Sequence, residues 1–278
     1  MKKSFLLGCI LFLCSAGLSA QTLGSLCIPA GCEELSMGEF CRNRFSSNRT
    51  LISGALWGLG SVDATDAALQ QTLNFGKWSY DLKGKLFLNK PYDITSSDGR
   101  AGGTFTPMDF AVSLCISRKF SDRFSAGVTG AYCYTDLSQQ FAGSSFCLGL
   151  SAEYVFDHGF AGVALKNFGP KVLVGRHYNS LPATLAAGGF WKTGCLKLGG
   201  EAEYLFLDNA FMATAGLSCR IFKAFSLRGG YRFASASAPV PSYASAGFGL
   251  TSGRFDFSAV CLLASGFIAP AVSLSFDW

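Results

Sequence analysis

The sequence predicts an all-β fold: a transmembrane antiparallel β-barrel of about 14 strands, with 12 as the alternative. Hydrophobic residues make up 49% of the chain. Beyond residue 20, however, no uninterrupted apolar run reaches the ~18 residues that a spanning helix needs. Strand-length segments with alternating apolar and polar residues instead follow one another from Leu69 to the C-terminus, with turn residues between them. Bacterial single-chain barrels have even strand numbers, so roughly thirteen recognisable segments indicate fourteen strands.

Composition favours a barrel over a soluble sandwich. The chain has 33 Gly and 26 Phe but only 15% charged residues. A soluble sheet protein would carry more Lys and Glu outward, whereas a lipid-facing wall tolerates this much exposed apolar surface.

The first twenty residues form a predicted signal peptide. Lys2 and Lys3 precede a short apolar stretch, and small residues lead to a cleavage site after Ala20. A lipoprotein signal at Cys14 is the alternative, although Leu13 is larger than the residue that such signals carry at that position. Without the two leader lysines, 21 basic residues stand against 18 acidic ones, a net charge of +3. This small, dispersed charge excludes a nucleic-acid-binding surface, and we expect export to the outer membrane of a gram-negative bacterium.

Residues 21–68 are predicted to be an N-terminal segment, and residues 69–278 the barrel. The segment shows little periodicity, so it is either a plug in the lumen or a disordered leader. It contains Cys27, Cys32 and Cys41, whose pairing stays open. No His accompanies these cysteines, and we expect neither a metal nor a cofactor.

Charged residues within apolar strands are candidates for the lumen. In residues 196–206, Leu196, Leu198 and Tyr204 alternate with polar positions. An Arg or Lys on the lipid face costs about 2 to 4 kcal/mol near the membrane midplane, so such charges should point inward. They form either a structural network or a contact for a ligand or partner. The candidates are Glu201, Glu203, Arg220, Arg228 and Arg232.

The C-terminal heptapeptide alternates strictly and ends on an aromatic residue, as in the signal that directs assembly of outer-membrane barrels. Ser273, Ser275 and Asp277 form its polar face. Its predicted lipid-facing assembly signal is Val272, Leu274, Phe276 and Trp278.

Catalysis is not expected. The only two histidines, His158 and His177, lie in a predicted turn and a predicted loop. The glycine-rich pieces lie inside strands, so they do not form phosphate-binding loops. The sequence therefore indicates a protein that is not an enzyme.

Two consecutive motifs resemble the PorV/PorQ family of outer-membrane barrels. Residues 162–171 (GVALKNFGPK) resemble that family's strand and following turn, and residues 181–190 (LPATLAAGGF) its next strand. With residues 103–110 (GTFTPMDF), the resemblance covers roughly residues 70 to 278. Residues 62–69 (VDATDAAL) lack the Asn-Pro-Ala motif that precedes the family's first strands.

The resemblance implies a fourteen-stranded barrel related in fold to the FadL fatty-acid channels. It also implies an accessory or cargo-handling role in type IX protein secretion, with secretion components or cargo proteins as partners. The alternative function is a FadL-like channel for a small hydrophobic ligand. Such a channel predicts an opening in the wall, for which the stretch Ser265 to Pro270 is the candidate because Gly266 and Pro270 weaken strand pairing.

Overall fold

The computed structural model describes residues 23–58, 63–95, 101–138 and 141–278, so the predicted signal peptide lies outside the described residues. One α-helix, α1 (Cys32–Met37), lies between two 3-10 turns at Gly24–Cys27 and Glu39–Cys41. The described residues form eighteen strands: β1 (Arg49–Trp57), β2 (Ala64–Phe75), β3 (Trp78–Asn89), β4 (Tyr92–Thr95), β5 (Ala101–Phe105), β6 (Met108–Lys119), β7 (Phe124–Asp136), β8 (Ala142–Phe156), β9 (Gly159–Phe168), β10 (Val172–Val174), β11 (His177–Asn179), β12 (Thr184–Thr193), β13 (Leu196–Leu205), β14 (Ala210–Arg220), β15 (Phe225–Ala234), β16 (Tyr243–Ser252), β17 (Phe255–Ala264) and β18 (Phe267–Asp277).

Fourteen of these strands close into an antiparallel barrel. Its order is β1, β18 to β12 in reverse sequence, β9 to β6 in reverse sequence, β3 and β2. The first and last strands close the wall, with registered pairs from Arg49 and Asp277 to Ala55 and Ala271. The strands β4 and β5 form one separate hairpin, and β10 and β11 another. The predicted fold class and the count of fourteen strands are confirmed.

The barrel begins at Arg49, twenty residues before the predicted boundary at residue 69. In β1, Leu51, Ala55 and Trp57 are buried toward the lumen, whereas Ile52 and Leu56 are exposed on the outer face. A strand with apolar residues on both faces does not show the alternation that identifies a lipid-facing strand. The sequence criterion therefore missed β1 and placed the boundary inside β2.

The outer wall is apolar. On β8, Phe146, Leu148 and Leu150 are 68%, 62% and 57% exposed, while Ser145 and Cys147 are buried. Such side chains recur around the barrel, which gives it the exterior of a membrane-spanning sheet. None of the helices in the described residues is long and apolar enough to cross a bilayer.

The two ends of the barrel differ. At one end, the short-turn end, strands are joined by connections such as residues 76–77, 157–158 and 253–254. At the other, the long-loop end, the connections from β3 to β6 and from β9 to β12 are long, and their described residues contain the two hairpins. Val172 and Val174 of β10 are buried in a cluster with Leu23, so the second hairpin covers the lumen at the long-loop end.

Candidate functional site: a filled lumen beside an irregular wall

The N-terminal segment, residues 23–48, lies inside the barrel. Helix α1 packs against the inner faces of β13 to β18. Two glycines allow this close approach, since a Cβ at Gly216 or Gly230 would collide with the carbonyl oxygen of Ser36. Apolar side chains of the segment are buried against the wall: Leu23, Cys27, Ile28, Cys32, Leu35, Met37, Phe40 and Cys41.

A buried ionic network joins the segment to the wall. The ammonium of Lys166 on β9 lies 2.6 Å from Glu39, 2.9 Å from Glu201 and 3.3 Å from Glu203. The backbone N–H of Glu39 donates to the Glu201 carboxylate at 2.6 Å, and Arg232 contacts Glu203 at 2.5 Å. Buried carboxylates are costly unless they are paired, so this arrangement fixes the segment at a single position on β9 and β13.

Three of the five predicted lumen residues belong to this network: Glu201, Glu203 and Arg232. Arg228 faces the lumen elsewhere and donates to the Ser258 hydroxyl at 2.5 Å. Arg220, the last residue of β14, is exposed at the short-turn end and the structure does not bring it to the network.

Sequence reasoning missed Lys166 and Glu39. Lys166 is a single cation at the end of an otherwise apolar segment, a signal that could have marked it as a lumen residue. Glu39 carries no such signal, because its position depends on how the segment enters the barrel.

Further ionic contacts hold the segment along its length. The ammonium of Lys85 on β3 donates to the carbonyl oxygens of Ser25 and Ile28, at 2.7 and 2.5 Å. Further ion pairs with the wall include Lys197 with Glu33 at 2.6 Å, Arg44 with Glu153 at 2.6 Å and Arg42 with Asp277 at 3.0 Å.

Two acidic residues of the segment, Glu33 and Glu39, stay ionised. Burial alone would raise the pKa of Glu33, but the charges of Lys197 and Arg228 outweigh it and lower the pKa to about 2. Burial likewise opposes ionisation of Glu39, yet the nearby Lys166 and Lys83 hold its pKa far below the usual range.

The three cysteines of the segment are buried free thiols. Burial raises the pKa of Cys27 to about 12, so this thiol stays protonated and unreactive at neutral pH. The described residues contain no group of three or more His, Cys, Asp or Glu side chains that could hold a metal ion.

A cavity of about 270 Å³ remains between the segment and the wall formed by β2, β3 and β6 to β9. Leu26, Ile28, Phe40 and Phe160 form an apolar part of its lining. The lining also contains neutral polar residues and many charged ones: Glu34, Glu39, Arg42, Arg44, Arg49, Asp81, Lys83, Lys85, Glu153 and Lys166. The cavity can therefore hold a small molecule with both apolar and polar surface.

The wall of this cavity is irregular between β8 and β9. Leu150 pairs with Leu165 but Leu148 pairs with Phe168, so β9 contains one extra residue. Asn167 in this bulge has a φ of 57°, the left-handed conformation that Asn tolerates better than most residues. We call this place, residues 148–150 and 165–168, the seam.

Gly149 lies at the centre of the seam and faces the cavity. Because Gly149 has no side chain, the wall between the cavity and the lipid-facing side chains of Leu148 and Leu150 is thin there, and Thr129 is the neighbouring side chain. At the predicted position, β17 and β18 pair without interruption from Phe255 and Phe276 to Ala264 and Phe267, with Pro270 opposite Cys261. On the other side of β18, the registered pairs with β1 end at Ala55 and Ala271, next to Pro270. An opening at Ser265 to Pro270 stays a prediction.

The terminal strand has the predicted alternation of faces. Val272, Leu274 and Trp278 are exposed and Phe276 is partly buried, whereas Ser273 and Ser275 are buried toward the lumen. Whether these apolar residues direct assembly stays a prediction.

The closed fourteen-stranded barrel, with its apolar exterior and the charged residues in its lumen, identifies this chain as a transmembrane β-barrel protein. No protein-family model matches the sequence, and no curated protein matches it. Membership of the PorV/PorQ family is accordingly not shown.

Solved structures with the same fold include transporters. The chain is similar to the P. putida toluene transporter TodX, with a TM-score of 0.68 and 10% identity over 90% of this chain and 99% of that chain. It is also similar to the Ralstonia pickettii toluene transporter TbuX, with a TM-score of 0.66 and 11% identity over 90% and 99%. A Pseudomonas aeruginosa FadL homologue gives a TM-score of 0.56 and 10% identity over 93% and 98%. These similarities establish the fold.

Proposed function

We propose that this chain is an outer-membrane channel of a gram-negative bacterium that passes small hydrophobic molecules. The observation that carries the proposal is the seam, where the lumen cavity approaches the lipid-facing surface of the barrel. A small movement of the bulged strand there would connect the cavity with the membrane, because the bulge already interrupts the ladder between β8 and β9.

The filled lumen argues against an open aqueous pore for large hydrophilic solutes. Helix α1 and its flanking turns occupy the space that an aqueous pore would need. The cavity that remains has the apolar side chains of Leu26, Ile28, Phe40 and Phe160 in its lining. TodX and TbuX, which have this fold, are described as toluene transporters.

The type IX secretion role that the PorV/PorQ resemblance implies has no support from the comparisons. The proposed partners are therefore membrane lipid and a small hydrophobic ligand. The absence of an apparent nucleophile and base in the sequence agrees with transport rather than catalysis.

Uptake measurements test the proposal. Cells that lack the gene should accumulate radiolabelled toluene or a radiolabelled fatty acid more slowly than complemented cells, while uptake of a labelled hydrophilic sugar should be equal. The surface and secreted proteins should also be equal in the two strains. Unchanged toluene and fatty-acid uptake would contradict the channel, and a selective loss of surface proteins would restore the secretion role.

A further inference from the structure

Arg118 lies where the apolar exterior ends at the short-turn end. It is the penultimate residue of β6, on the outer face that also contains Leu114 and Ile116. Leu114 and Ile116 are exposed apolar residues, and Arg118, the next residue on the same face, is also exposed. A barrel in a bilayer places this position at the level of the lipid headgroups.

Two aromatic rings hold the guanidinium. The Arg118 Cζ atom lies 5.2 Å from the centroid of the Trp78 ring and 5.6 Å from that of the Phe120 ring. Trp78 is the registered partner of Arg118 across β3 and β6, so the contact is built into the sheet. Within the described residues no carboxylate forms an ion pair with Arg118, whose side chain is exposed.

The surrounding rim is basic. Lys77, in the turn between β2 and β3, has an exposed side chain. It lies next to this site, because its carbonyl oxygen accepts a hydrogen bond from the N–H of Lys119. The exposed acidic residues described at the short-turn end are Asp122 and Asp157. The exposed basic residues there are Lys77, Arg118, Arg123, Lys192, Arg220, Lys223 and Arg254.

We propose that Arg118, between Trp78 and Phe120 and beside Lys77, binds the phosphate group of an anionic phospholipid in the leaflet at the short-turn end. Arginine matches phosphate oxygens with two parallel N–H donors, and aromatic residues lie stably at headgroup level. The apolar column of Ile116 and Leu114 provides the surface for an acyl chain. A phospholipid therefore fits the site better than a free phosphate ion, which has no apolar part.

Binding to the full-length mature protein tests this proposal. The probes are nanodiscs or vesicles of phosphatidylcholine with and without phosphatidylglycerol, and the readouts are lipid retention by native mass spectrometry and thermal stability. Arg118→Gln should weaken phosphatidylglycerol binding about tenfold, because it removes the charge-assisted hydrogen bonds to the phosphate as well as one basic charge of the rim. Arg254→Gln, on the same rim, is the matched control, and it should weaken binding less because it removes only a rim charge.

Three results would overturn the proposal. The first is equal retention of phosphatidylglycerol and phosphatidylcholine by the wild-type protein. The second is unchanged phosphatidylglycerol binding by Arg118→Gln. The third is displacement of the lipid by inorganic phosphate at equal concentration, which would identify a free-anion site. Arg118→Lys should bind with intermediate affinity, because Lys keeps the charge but loses the planar contact with the rings. Heat modifiability on gels verifies that each variant is folded.

Discussion

Replacement of Lys166 by Met should loosen the N-terminal segment in the barrel. Lys166 contacts Glu39, Glu201 and Glu203. Glu39 keeps a second cation, Lys83 at 3.8 Å, and Glu203 keeps Arg232, so Glu201 is the carboxylate that loses its cation. Removal of one partner from a buried ion pair costs about 3–5 kcal/mol. The side chains of Lys166 and Glu39 are 23% and 29% exposed, so water screens part of the interaction. We therefore expect the lower end, about 3 kcal/mol of lost docking free energy.

Single-channel conductance in planar bilayers and proteolysis of residues 23–48 measure the loosening. Lys166→Met should raise the conductance and accelerate cleavage of the segment, whereas Lys223→Met, in an exposed turn, should do neither. Adding Glu201→Gln to Lys166→Met should recover part of the docking, because it removes the buried charge that lost its partner. Wild-type conductance and cleavage in Lys166→Met would refute the role of the network, and so would a double variant no better docked than the single one.

Three further predictions concern other parts of the chain. The pKa of Glu33 is about 2 in the folded protein against a reference value of 4.5, so its contact with Lys197 stabilises docking above pH 4.5 and is lost as the pH falls toward 2. Proteolytic cleavage of the segment should therefore accelerate over this pH range in the wild type. An equally steep acceleration in Lys197→Met would show that the contact is not its cause. Asn167→Val should distort the seam and change toluene uptake by liposomes, since a left-handed φ costs valine about 1–2 kcal/mol. Asn167→Gly should transport normally. Identical uptake by the two variants would exclude a role of the seam in transport. Deletion of Trp278 should reduce the heat-modifiable protein in the outer-membrane pellet, whereas Ser273→Ala should be mild; the reverse order would invert the assignment of faces.

The sequence was sufficient for the regular part of the barrel. Strict alternation in segments such as 196–205 reports the two faces directly, because one side meets lipid and the other meets the lumen. It therefore predicted fourteen strands and the inward direction of Glu201, Glu203 and Arg232. It failed at β1, whose inner face is as apolar as its outer face.

The contents of the lumen were not predictable from alternation. The contact between Glu39 and Lys166 joins residues 127 positions apart, and it depends on the path of a segment without periodicity. Alternation also gives the face of a residue but not its depth, so Arg220 was grouped with Arg232 although it lies exposed at the rim. The seam follows from one extra residue in β9, which a strand pattern read from one chain does not register.

The apolar inner face of β1 limits how the lumen of this barrel can open. Full burial of a large apolar side chain contributes about 1.5–3 kcal/mol. If the segment left the lumen, Leu51, Trp57 and the apolar residues of α1 would be exposed to water, at a cost far above thermal energy. The N-terminal segment consequently stays in the lumen as a permanent part of the barrel and does not leave it to open a pore. Under the proposed function, a solute would pass around the segment, along the side of the barrel that contains the seam.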